Sequence, residues 1–143
     1  MDIARAFPLE VPRLDVPWGL TEQAFLDMVR QYRPQKITNG HYEMRCKFFG
    51  LPESPVHFHF EPRTNGRLSQ VEFFRKPQRQ KKKGFEELQR SLEKYLGAPT
   101  QRGEARRDDV QPAHWQVGKI SVAHEYYYHG THYEKILFST RAA

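Results

Sequence analysis

Residues 42–61 read YEMRCKFFGLPESPVHFHFE, and two alternating runs in this stretch decide the fold. Tyr42, Met44, Cys46 and Phe48 alternate with Glu43, Arg45 and Lys47; Val56, Phe58 and Phe60 alternate with His57, His59 and Glu61. A period of two is the signature of a strand with one buried and one wet face. Gly50-Leu51-Pro52 breaks the first run from the second. Downstream, Asn65-Gly66 is a two-residue hairpin signal, and Leu68 to Phe74 supplies a third strand. Cys46 belongs to the apolar set, which predicts a buried, inert thiol.

Upstream, Thr21 is an N-cap for a helix whose apolar face is Phe25, Met28, Val29 and Tyr32, and Pro34 stops it. Residues 1–17, with Pro8, Pro12 and Pro17, read as an extended lead-in. The order then repeats. Phe85, Leu88, Leu92, Tyr95 and Leu96 form a helical stripe ended by Gly97 and Pro99. A polar loop spans Gln101–Pro112, and Trp115 opens the next strand region. Ile120, Val122, His124, Tyr126 and Tyr128 share one face of a strand, His129-Gly130 turns the chain, and Tyr133–Ser139 returns. His124 is therefore expected to be a hydrogen-bonded core histidine.

The expected architecture is α+β: one domain over 1–143, an α-β-β-β half at 18–75, a basic connector at 76–84 and a second half at 85–139. An antiparallel sheet of about six strands carries both helices on one face. The other face stays wet and presents Glu43, Arg45, Lys47, His57 and His59 to a partner.

Composition supports a folded soluble domain. In 143 residues there are ten Phe, seven Tyr and two Trp, with 38% hydrophobic and 28% charged residues. One cysteine excludes an internal disulfide, and no apolar run is long enough for a signal or a membrane span, so a cytoplasmic chain is expected. Net charge is +6, carried by Arg75, Lys76, Arg79, Lys81, Lys82 and Lys83; with those six set aside the chain is electrically balanced.

Val16-Pro17-Trp18-Gly19-Leu20-Thr21, Phe49-Gly50-Leu51-Pro52 and Tyr95-Leu96-Gly97-Ala98-Pro99 are turn and cap signals spaced through 16–139. In layout the chain resembles small bacterial tandem α-β-β-β modules, the β-lactamase inhibitor proteins and the outer-membrane assembly lipoproteins. That resemblance implies a helix-plus-sheet fold and protein binding, and it transfers no functional residue. The chain departs from those proteins in having neither a lipidated cysteine nor a disulfide pair.

Three chemistries compete. The first is a protein-binding face of Glu43, Arg45, Lys47, His57, His59 and an exposed Tyr127, in a non-enzymatic inhibitor or toxin-immunity protein whose partner is acidic. The second is nucleic-acid binding by Arg75–Lys83, with Phe73 and Phe74 stacking on bases. The third is a metal-dependent enzyme, because His57, His59 and Glu61 project from one strand face at intervals of about 6.6–6.8 Å. Phosphate loops, nucleophile elbows and His-Glu-x-x-His are missing, so no catalytic residue and no cofactor is expected.

Overall fold

Chain order places a β-hairpin first, then a helix followed by four strands, then a second helix followed by four strands. The computed structural model describes residues 2–61, 66–76, 79–105, 110–129 and 131–140, with the backbone alone for 127–129, 131 and 132. The expected turn residues Asn65 and Gly130, residues 141–143, and the side chains of Tyr127 and Tyr128 lie outside the described residues.

The lead-in is a hairpin rather than a single extended segment. β1 (Ala6–Leu9) pairs antiparallel with β2 (Leu14–Pro17), so that Phe7 faces the core beside Val16. Proline is tolerated here because a two-stranded ribbon has free edges. Thr21 accepts a 3.2 Å hydrogen bond from Ala24 N and caps α1 (Glu22–Val29), which buries Phe25 and Val29. The predicted apolar stripe fails at its end. The chain tightens into a 3-10 turn at Arg30–Tyr32, and Arg33 turns left-handed at φ 54°. Three residues per turn rotate Tyr32 off the buried face, leaving it exposed.

Among the described residues the main sheet has eight antiparallel strands, not about six, in the order β3-β4-β5-β6-β10-β9-β8-β7. The first half supplies β3 (Gln35–Thr38), β4 (His41–Cys46), β5 (Ser54–Glu61) and β6 (Arg67–Arg75). After α2 (Lys81–Leu96) come β7 (Gln101–Arg102), β8 (Ala113–Val117), β9 (Ile120–His129) and β10 (Thr131–Thr140). The two strands missed by sequence are the two edges. All four residues of β3 are exposed and β7 has only two residues, so neither carries an alternating pattern. The last strands of the two halves meet at the centre, where Phe73 of β6 pairs with Ile136 of β10.

Both helices and the hairpin cover the same face. Phe25 lies 5.0 Å from Phe58 ring to ring, Phe7 lies 4.9 Å from Phe138, and Phe85 stacks on His124 at 3.8 Å. Cys46 is fully buried, donates to Met44 O, and burial pushes its thiol up to about 12. The basic connector is shorter than predicted, because Lys81, Lys82 and Lys83 form the first turn of α2. Among the described residues no helix is long and apolar enough to cross a membrane.

Candidate functional site on the open sheet face

The strand period that buries Tyr42, Met44, Val56, Phe58 and Phe60 sends the intervening residues to the opposite face, which none of the described elements covers. Register then decides which of them meet. His41 stands across from His59, and Glu43 across from His57, on neighbouring β4 and β5. Glu72 of β6 stands across from His57 on the other side. Six polar side chains from four strands thus share one patch, with Lys135 of β10 reaching in.

Within the patch the rings touch. His41 Nε2 and His57 Nδ1 face each other at 2.7 Å, so one nitrogen donates and the other accepts. The His41 ring stacks on His59 at 4.3 Å. His59 Nε2 meets Glu72 Oε1 at 3.2 Å, and Lys135 Nζ meets Glu72 Oε2 at 3.1 Å. These two partners hold the Glu72 carboxyl down at about 2, the His59 hydrogen bond contributing most. Burial, then neighbouring imidazoles, lowers His41; burial also lowers His57, against the pull of Glu43 and Glu72. On its outer side His57 stacks on Phe74 at 4.7 Å, and Phe74 meets Tyr133 edge-on at 6.0 Å. Phe74, next to last in central strand β6, keeps 40% of its surface exposed.

Of the predicted face residues, Glu43, His57 and His59 lie together here. Arg45 is on the same strand but further along, exposed and 3.8 Å from Glu53. Lys47 lies past the end of β4; its backbone pairs with Val11 of the hairpin rather than continuing the sheet. The Tyr127 side chain lies outside the described residues. Glu72 and Lys135 were missed, and His41 and Phe74 were not placed on this face, because only cross-strand register brings them to His57 and His59.

The metal triad is not assembled. Among the described residues no group of three or more His, Cys, Asp or Glu side chains is arranged to hold a metal ion. Glu61 sits at the end of β5, beyond the irregular register at His59/Phe60, while His59 turns to Glu72.

The predicted nucleic-acid segment is divided. Arg75 is drawn inward, donating at 2.8 Å to fully buried Glu134 and at 3.2 Å to Gly84 O. Phe73 is a core residue at 4% exposure and has no face for a base. Lys76, Arg79, Lys82 and Lys83 are exposed around the start of α2, and Lys81 is half-buried with its carbonyl accepting from Tyr126.

His124 is the predicted core histidine. It is fully buried, with Nδ1 2.7 Å from Gln89 Oε1 and Nε2 2.8 Å from Glu134 Oε2. Burial lowers its pKa, against the pull of Glu134. Compared with known proteins, the chain matches no family model, no curated protein and no solved structure.

Proposed function

We propose, from the geometry of the site and the layout of the chain since no relative lends a role, that this chain is a non-catalytic protein-binding module of the inhibitor or toxin-immunity kind, docking through its open sheet face. The observation that carries this is Phe74, a large aromatic side chain 40% exposed near the end of β6, a central strand of the eight-stranded sheet. Around it stand His57, Tyr133, Glu72 and Lys135, which supply hydrogen-bonding groups. An aromatic anchor ringed by polar side chains is the composition of a binding hot spot. The layout resemblance to tandem inhibitor modules points the same way.

Charge on this face is mixed, with Arg45 and Lys135 set against Glu43, Glu72 and Glu125. A face of that kind suits a protein better than a polyphosphate, whose binding is dominated by uniform positive charge. The charge on this face suits a partner of mixed charge rather than a purely acidic one. A second reading is favoured by one observation only: Lys76, Arg79, Lys82 and Lys83 are exposed at a helix start that lacks a side-chain cap. Its test is a salt titration of single-stranded nucleic-acid binding, in which Arg79→Gln with Lys83→Gln flattens the slope.

For the leading proposal, affinity capture from native lysate is run in parallel with the natural chain and Phe74→Asp, followed by calorimetry with the purified partner. A stoichiometric partner whose affinity drops at least about tenfold with Phe74→Asp, about 1.4 kcal/mol, is the expected result. No stoichiometric partner, or one bound equally by both chains, overturns it.

A further inference from the structure

His41 and His57 present ring nitrogens to each other at 2.7 Å, within hydrogen-bond distance. Such a contact requires one nitrogen with a hydrogen and one with a lone pair. A neutral imidazole has one of each, whereas an imidazolium carries hydrogens on both. The pair can therefore take one proton on a nitrogen outside the contact. It then becomes an imidazolium donating to an imidazole, and the hydrogen bond is strengthened by the charge. A second proton leaves two N–H groups pointing at each other and two cations with ring centres 5.0 Å apart. The contact must open.

The surroundings determine what that opening does. From β4, Glu43 faces the pair; from β5, His59 lies against His41 and Glu61 stands at the strand end. From β6, Glu72 faces the pair, but His59 and Lys135 of β10 already occupy its oxygens. β3 brings Gln35 and Thr38 beside these positions and no charge. Glu43, directly across from His57 and two residues along β4 from His41, can offset one added charge and not two. Either ring can swing away, and one of them, His57, is linked to the exposed anchor because it stacks on Phe74.

We propose that His41 and His57 make the docking face proton-gated: the face binds its partner while the pair holds one proton or fewer beyond its neutral state, and uptake of the second breaks the 2.7 Å contact, shifts His57 off Phe74, charges the face and releases the partner. This rests on the docking proposal for its last step only. Burial and neighbouring imidazoles already disfavour the charged forms, which sets the second uptake below the ordinary histidine range.

The switch is tested without any partner by imidazole nitrogen NMR of the full chain from pH 8 to 4, with circular dichroism confirming the fold at each point. Two coupled steps shared by His41 and His57, more than about one pH unit apart, are expected, with the Phe74 ring resonances moving on the second. His41→Phe keeps a ring over His59 and removes the facing nitrogen, so His57 should then titrate in one step. Two independent single-step curves in the natural chain, or a His57 curve unaltered by His41→Phe, overturn the switch. Where a partner has been captured, its affinity should fall at least tenfold across the second step and hold in His41→Phe. A split titration with undiminished affinity overturns the gating, while absence of any partner overturns docking and leaves the titration to judge the switch.

Discussion

Arg75 shows how a side chain's role depends on what it meets. In sequence it opens a run of six basic residues; in the folded chain it closes a buried polar network of Glu134, His124 and Gln89 beneath Phe85. Removing the cation leaves the fully buried Glu134 carboxylate with Oε1 unpaired and His124 as its remaining side-chain partner here. Arg75→Gln is expected to cost roughly 3 kcal/mol, the low end for a broken buried pair because Arg75 keeps some solvent contact, as read from urea unfolding. Gly40 is constrained differently: its φ is 73°, and an added Cβ would collide with the Phe60 carbonyl oxygen. Gly40→Ala should destabilise by at least about 1–2 kcal/mol from backbone handedness alone, measurable in the same assay. Alternation in residues 42–61 was enough to place His57 and His59 on the face opposite Val56, Phe58 and Phe60, but not to show that His57 is buried there against Phe74. Their ring partners were not legible, because His41 and Glu72 lie 16 and 15 positions from His57 and are joined to it only by pairing.

Among the elements, α2 forms against its own terminal chemistry. Its first turn carries Lys81, Lys82 and Lys83 with no acid, and Gln80 makes no side-chain cap. Cations at a helix N-terminus oppose its dipole. The helix begins there nonetheless, because Phe85, Leu88 and Leu92 are buried against the sheet and Tyr126 donates to Lys81 O. Local signals alone led to a connector reaching residue 84, since tertiary packing outweighs a poor first turn. Gln80→Asp supplies both the missing cap and an acid, and is expected to raise stability by about 1 kcal/mol, seen as a higher denaturant midpoint with an unchanged slope. The edge strands β3 and β7 were invisible for the opposite reason. They bury almost nothing, so no hydrophobic pattern marks them, and they are held by backbone pairing to β4 and β8.

Across the whole molecule, stability should follow both acidity and position in the sheet. His41, His57 and His124 all resist protonation in the folded chain, burial being the first cause in each. The unfolded chain takes up those protons near 6.5, so their contribution is fully present above that value and is lost as pH falls through it toward the lowered folded values. The Tm is therefore expected to fall between pH 7.5 and 5. A further loss should follow between 4.5 and about 2 as Glu72, depressed by His59 and Lys135, is forced to protonate. A Tm that is flat or rises from pH 7.5 to 5 would contradict the buried neutral histidines. Amide hydrogen exchange should be slowest in β6 and β10, which have strands on both sides, and fastest in β3 and β7.

The amino-acid sequence by itself determined which residues of β4, β5 and β9 turn inward, where α1 starts, that Cys46 and His124 are buried, and that a helix-then-strands order occurs twice. These follow from spacing over a few residues, since a pleat alternates and a helix turns every 3.6. Only the tertiary structure decided the width of the sheet, the withdrawal of Arg75 from the basic run, and the meeting of His41, His57, His59, Glu72 and Lys135 around Phe74. Those depend on which strands pair and in what register. That choice is made by burial of the whole apolar face at once, and no local stretch of chain encodes it.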